Sequence, residues 1–326
     1  MNLALIFLGF FLLVIGGEFI VRSSIAISFK FNISKIVIGM TVVAFATSLP
    51  ELIVSLNAAI NGSPSIAINN VIGSNIANIG LVLGIISILT SIKVDNTFYN
   101  KDWPVMFAFS ILMILFSIND YMLTQIEGAV LLFLLIVFIL YFLKKSTNED
   151  INDDIDNKLI LAEDIVLAQE GRVVSIASNT KIIIWLLLSS LSLYFGAEFL
   201  VDGAVNFAKQ INISEAVISV SIVAIGTSIP ELAASIIAIV KNEKGLSVGN
   251  LIGSNIFNIG SVLGITAIIK PIQIAQEIID RDIIWMLFFA ILLFVLALLP
   301  KRNKLSKFKG FIMLLSYFYF IFLVFM

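Results

Sequence analysis

Residues 44–55 read Ala44-Phe-Ala-Thr-Ser-Leu-Pro-Glu-Leu-Ile-Val-Ser55, and 180 positions later the chain reads Ala224-Ile-Gly-Thr-Ser-Ile-Pro-Glu-Leu-Ala-Ala-Ser235. Each copy sets a carboxylate and a helix-breaking proline side by side inside a long apolar run. The same offset, without a gap, lays Gly73-Ser-Asn-Ile-Ala-Asn-Ile-Gly80 on Gly253-Ser-Asn-Ile-Phe-Asn-Ile-Gly260 and Val82-Leu-Gly84 on Val262-Leu-Gly264. It also lays Gly17-Glu-Phe19 on Ala197-Glu-Phe199 and Asn32-Ile-Ser34 on Asn212-Ile-Ser214. Agreement at one fixed spacing marks an internal repeat, and a repeat decides the architecture.

The surrounding composition is that of a membrane chain. Of 326 residues, 60% are hydrophobic and 13% charged, against roughly 45–50% apolar and about 25% charged in soluble domains. About ten stretches reach the ~20 apolar residues that cross ~30 Å of hydrocarbon. They fall at roughly 3–21, 36–60, 66–91, 103–119, 126–143, 182–201, 215–240, 246–269, 282–299 and 310–326. The first lacks a basic leader and a small-residue cleavage site, so it reads as a retained helix. Five spans per repeat is an odd number, so the second copy enters the membrane from the opposite side. The predicted fold is an all-α polytopic membrane protein of about ten transmembrane helices in two inverted-topology five-helix repeats. Its divisions are a first repeat over 1–143, an acidic linker loop over 144–181 and a second repeat over 182–326. With the loop placed in the cytoplasm, only Lys209, Lys270 and Arg281 of the 20 basic residues lie outside. That bias puts both termini on the extracytoplasmic side.

Inverted repeats build substrate sites near the bilayer midplane from helices interrupted by Gly or Pro. Pro50 donates no N–H and crowds the carbonyl of residue 46, so carbonyls around Ala46 and Thr47 lose partners; Pro230 does the same near Gly226 and Thr227. Unpaired carbonyls in hydrocarbon cost several kcal/mol each, a cost a bound cation offsets. A midspan acid costs at least ~2–3 kcal/mol and marks an ion path. Glu51 lies an i,i+4 step beyond Thr47, Glu231 beyond Thr227, and Ser74–Asn78 and Ser254–Asn258 repeat that spacing. The donors are carboxylate, amide, hydroxyl and carbonyl oxygens, which suit Ca²⁺ and Na⁺. With no His and no Cys, zinc and copper chemistry, disulfides and thiolate catalysis are excluded. The glycines and serines at 73–74 and 253–254 also serve close helix packing, and the asparagines serve as hydrogen-bond links between helices.

These paired motifs resemble the two alpha-repeats of the sodium/calcium exchangers in the calcium/cation antiporter superfamily, over nearly the whole chain. The resemblance implies a ten-helix inverted-repeat carrier working by alternating access, with Ca²⁺ and Na⁺ as transported ions and no cofactor. Carried over by position, it makes Glu51 and Glu231 the shared carboxylates. Thr47, Thr227 and the carbonyls of Ala44 and Ala224 complete the cluster, with Ser48, Ser74, Asn78, Ser228, Ser254 and Asn258. Asn258 stands where potassium-dependent members carry an acid, which argues against a K⁺ requirement. The proton-coupled branch resembles Gly-Asn-Ala-x-Glu-His instead, and its His is missing here, so Na⁺ coupling is favoured, with H⁺ or another monovalent cation as the alternative.

Two equivalent gates favour a carrier over a channel. There is no phosphate-binding glycine loop or nucleophile elbow, hence no sign of an enzyme or an ATP-driven pump, and no nucleic-acid motif. The acidic run from Glu149 to Asp154 lacks EF-hand spacing, and the loop reads as a solvated linker with a short amphipathic helix across 158–169. The expected partners are the ions and the lipid bilayer, with no obligatory protein partner, in the plasma (inner) membrane of a prokaryote. Glu18 and Glu198 sit near opposite membrane faces, either as interfacial groups or as ion attractors.

Overall fold

A computed structural model of the chain describes residues 2–149, 178–211, 226–300 and 302–324. The first half contains α1 (Asn2–Phe31), α2 (Lys35–Thr47), α3 (Leu49–Ile60), α4 (Ser65–Leu89), β1 (Ile92–Lys93), α5 (Phe98–Ile118), β2 (Met122–Leu123) and α6 (Gln125–Glu149). The second contains α7 (Asn179–Gln210), α8 (Ile229–Val240), α9 (Lys244–Ile269), β3 (Ile272–Gln273), α10 (Ile278–Leu298), β4 (Lys304–Leu305) and α11 (Lys307–Val324). Among the described residues eight helices are long and apolar enough to cross a membrane, and the α2–α3 pair, bent by 41°, makes a ninth. The shorter apolar helix α8 stands 180 positions after α3. The chain is thus an all-α polytopic membrane protein in two inverted five-helix repeats. Ala224, the acidic run beyond Glu149 and the 158–169 segment lie outside the described residues.

Several helices outrun their apolar cores. α1 continues through Arg22 to Phe31 and α7 through Asp202 to Gln210, because a helix ends where its backbone finds another partner and not where hydrophobicity stops. The proline-bearing span departs from expectation more instructively. Pro50 does not kink a continuous helix; the chain breaks at Ser48 (φ −86°, ψ 2°) and Pro50 falls in the first turn of α3. A first-turn N–H has no intrahelical acceptor, so its loss costs nothing there, and proline's fixed φ suits helix initiation. Ser228 (φ −89°, ψ 3°) and Pro230 reproduce the same break at the start of α8.

The two halves are joined by exchange. α4 packs against α11 and, in mirror fashion, α6 against α9, while α1 lies along α7 and α8. Ile92 and Lys93 pair antiparallel with Leu305 and Lys304, and Met122 and Leu123 with Gln273 and Ile272. Each two-residue strand therefore finds its partner in the other repeat. Phe289 of α10 covers Gly80 of α4, and Phe109 of α5 covers Gly260 of α9. α2 meets α9 most closely: a methyl group on Gly253 would stand 2.5 Å from the Met40 carbonyl oxygen, so only glycine lets the two backbones touch. That contact carries Thr47 against the middle of α9. Large exposed side chains such as Phe7, Phe10, Leu187 and Leu191 form the apolar exterior that hydrocarbon solvates.

Candidate ion-binding site

Both helix breaks open onto one buried polar cluster. Glu51 and Glu231 occupy the first turns of α3 and α8, where the backbone N–H groups and helix dipole favour an anion. Each is 0% exposed. Among the described residues no Lys or Arg pairs with either carboxylate. Glu51 Oε1 accepts a long 3.5 Å contact from the Ser74 hydroxyl, whereas Glu51 Oε2 and both oxygens of Glu231 have no hydrogen-bond partner among the described residues. Two buried carboxylates without a cation are costly in any low-dielectric interior.

Around them the pseudo-twofold axis is drawn in hydrogen bonds. The hydroxyls of Thr47 and Ser254 lie 3.2 Å apart, and those of Ser74 and Thr227 lie 3.1 Å apart. Asn70 Nδ2 donates to Ser55 Oγ at 3.2 Å, and Asn250 Nδ2 to Ser235 Oγ at 3.3 Å. Every one of these contacts has its image 180 positions away. The threonine of each break thus touches the serine of the opposite repeat, which makes the cluster a joint product of both halves.

The expected ligand positions can be placed one by one. Thr47, Ser74, Asn78, Ser228, Ser254 and Asn258 are buried and Thr227 is half-buried. Ser48 Oγ and Ser228 Oγ, at the breaks themselves, have no partner among the described residues, nor do Asn78 Oδ1 and Nδ2 or Asn258 Oδ1. The Ala44 carbonyl accepts the Ser48 N–H at 2.9 Å and the Thr47 hydroxyl at 3.4 Å, so it retains one helical partner despite the break. Thr47 and Glu51, read from sequence as neighbours on one helix face, belong to two helices separated by Ser48. Asn78 and Asn258 each open a π-helical turn, Asn78–Leu83 and Asn258–Leu263, the kind of local widening that recurs at functional sites. These turns pack crosswise, the Asn258 turn on α3 and the Asn78 turn on α8.

Reasoning from i,i+4 spacing missed a supporting layer. Asn250 Oδ1 accepts from Thr47 at 3.0 Å and Ser254 at 3.5 Å, and Asn70 reaches the Glu51 carbonyl at 3.3 Å. Asn75 and Asn255 are also buried, 2% exposed each. The signal was present in the 180-residue offset, which aligns Asn70 with Asn250, Ser55 with Ser235 and Asn75 with Asn255. Glu18 lies apart from the cluster: its Oε1 bonds Arg22 and, at 2.7 Å, Lys241, an ionic link between α1 and the end of α8. Glu198 is exposed on α7.

The fold is a two-repeat membrane bundle with a buried oxygen-rich centre to which both halves contribute. The sodium/calcium exchanger protein family model matches residues 1–144 and 181–326, and the chain belongs to that family. It is 28% identical over 350 aligned positions to the sodium/calcium exchanger MaX1 of Methanosarcina acetivorans, covering 99% of this chain and 98% of that one. It is 33% identical to the inner membrane protein YrbG of Escherichia coli, covering 94% and 91%. Among solved structures it is similar to the sodium-calcium exchanger NCX_Mj soaked with zero Na⁺ and Ca²⁺, with a TM-score of 0.79, 32% identity and coverage of 99% and 98%. The chain is therefore a multi-pass membrane transporter of the cation antiport class.

Proposed function

We propose that the chain exchanges Ca²⁺ for Na⁺ at a single buried site. The observation that supports this reading is the pair of fully buried carboxylates, Glu51 and Glu231, set on symmetric helix breaks with no basic partner among the described residues. In the proposed cycle they are the shared ligands. Thr47, Thr227, Ser48, Ser228, Ser74, Ser254, Asn78 and Asn258 supply neutral oxygens, with the carbonyls of Ala44 and Ala224. The donor set is all oxygen and suits hard cations. It needs no cofactor and no protein partner.

Competition couples the ions. Two glutamates hold a charge of about −2, which one Ca²⁺ or two Na⁺ neutralise, and an uncompensated pair resists enclosure because buried charge without a counter-charge is expensive. Loaded sites isomerise; half-loaded ones do not. α1 and α7, packed along each other, are the proposed sliding pair that exposes the site alternately to the two faces. The proposed setting is a prokaryotic plasma membrane, with both termini outside and the 144–181 linker in the cytoplasm.

The test is radiolabelled Ca²⁺ uptake into Na⁺-loaded proteoliposomes diluted into Na⁺-free buffer, with a pH-gradient control and Glu51→Gln and Glu231→Gln alongside. Uptake that follows the Na⁺ gradient and disappears in both variants is expected. Uptake driven only by a pH gradient would establish proton coupling in its place, and transport unchanged in the variants would overturn the site.

A further inference from the structure

Behind the proposed ligands, at the contact of α4 with α9, lies a chain of amides whose direction is set at one end. Asn75 Nδ2 donates to the Asn255 backbone carbonyl at 3.3 Å. A carbonyl only accepts, so the Asn75 amide cannot be reversed without losing this bond. Its Oδ1 is left facing Asn258, whose Nδ2 donates to it at 3.1 Å. The Asn258 amide is thereby oriented too. Its NH₂ is used, and its Oδ1 remains a buried acceptor with no partner among the described residues. All three side chains are 2% exposed or less.

The mirror-image chain is not made. Asn255 Nδ2 turns back to the Leu251 carbonyl of its own helix at 2.7 Å. Asn255 Oδ1 and both polar atoms of Asn78 are without partners among the described residues. Two positions equivalent by sequence and equally buried thus differ in what they do.

We infer that Asn75 is a positioning residue for the ion site: it holds the Asn258 amide so that oxygen, and not NH₂, is presented to the cation. This deepens the exchanger reading and rests on Asn258 being an ion ligand. An Asn amide free to turn over offers a cation a donor half of the time, whereas an oriented one behaves as a fixed neutral oxygen. Groups that orient a metal's direct ligands typically contribute about 10–100-fold in affinity.

The experiment is Ca²⁺ titration calorimetry on the purified full chain in Na⁺-free detergent solution, with uptake KM measured in parallel, for Asn75→Ala, Asn255→Ala, Asn258→Asp and Asn75→Ala combined with Asn258→Asp. Asn75→Ala is expected to weaken Ca²⁺ by about tenfold, and Asn255→Ala to leave affinity within about twofold. In the Asn258→Asp background the Asn75→Ala loss is expected to vanish, because a carboxylate has two equivalent oxygens and no wrong way round. A mere packing role would move both single variants alike and persist in the Asn258→Asp background; either result overturns the inference, as does unchanged affinity in Asn75→Ala. Should Asn75→Ala fail to fold, Asn75→Ser, whose hydroxyl is too short to reach Asn258, takes its place in the same comparison. Transport surviving in Glu51→Gln and Glu231→Gln would instead sink the exchanger site itself, whatever Asn75 does.

Discussion

Replacing Glu243 by Gln removes one charge from a clasp that joins the two repeats. Lys35 Nζ, at the start of α2, lies 3.0 Å from both carboxylate oxygens of Glu243, just before α9, and the side chains are only 14% and 7% exposed. At 3.0 Å and an effective dielectric of about 20, the bare Coulomb attraction is about 5.5 kcal/mol. Desolvation of two largely buried groups cancels part of that, so losing one partner should cost about 2–3 kcal/mol, below the 3–5 kcal/mol of fully buried pairs. The 180-residue offset puts Glu215 and Ser63 in these roles, so the sequence does not repeat the Lys–Glu pair. If the clasp holds one face shut, its loss should raise the opening of that face roughly 30- to 140-fold, since 1.4 kcal/mol is a factor of ten. The chain has no Cys, so Ser247→Cys, fully buried and one turn beyond Glu243, gives a single reporter. Labelling of Cys at that position by a membrane-impermeant maleimide should accelerate by that factor in Glu243→Gln and Lys35→Met, and return towards the starting rate in the swapped Lys35→Glu/Glu243→Lys chain. A fall in melting temperature with unchanged labelling would refute the reasoning, because the pair would then support the fold without closing anything.

Three further outcomes follow from the same contacts. Gly253→Ala should lose about 1–3 kcal/mol of stability, the usual cost of overpacking, because the obstacle 2.5 Å away is the Met40 backbone; a thermal melt reads it, and a stability unchanged within error would mean that α2 and α9 part easily. Thr47→Val keeps the shape but removes the hydroxyl that donates to Asn250 Oδ1 and lies 3.2 Å from the Ser254 hydroxyl, costing about 1–3 kcal/mol and weakening Ca²⁺ in the same titration; unaltered binding would count against a role for the Thr47 hydroxyl. Trp103→Phe removes a 2.7 Å bond from Nε1 to the Ala290 carbonyl, far from the carboxylates in sequence. It should lower stability by about 1 kcal/mol with Ca²⁺ affinity unmoved, and a change in affinity would show that α5 and α10 bear on the site.

What sequence reasoning reached and what it missed divide along physical lines. The repeat was visible because a strict offset preserves identities such as Thr47/Thr227 and Glu51/Glu231, and its odd number of spans requires inversion. The two carboxylates proposed for the site stood out because a midspan acid is expensive. The place of the break did not, since proline tells that a helix is interrupted nearby but not that Ser48, two residues earlier, takes the turn. Asn75 was passed over because i,i+4 counting from Ser74 selects Asn78, and the π-helical turn that begins at Asn78 alters which neighbours share a face. The strands were out of reach altogether: two residues carry no alternation, and the partner of Ile92 is Leu305. Glu18 found its ion partner Lys241 in the other repeat, which charge counting along one helix cannot anticipate.

The exchange of partners between halves has a consequence for the order in which the protein is made. Gly84 of α4 accepts the close approach of α11 at Gly310, and the ribosome reaches Gly310 226 residues after Gly84. At about 5–20 residues per second the first half waits roughly 11–45 s for the helix that seals it. Through that interval β1 has no β4 to pair with and α4 no α11 to lean on, so these contacts of the first half are completed only once α11 has been made.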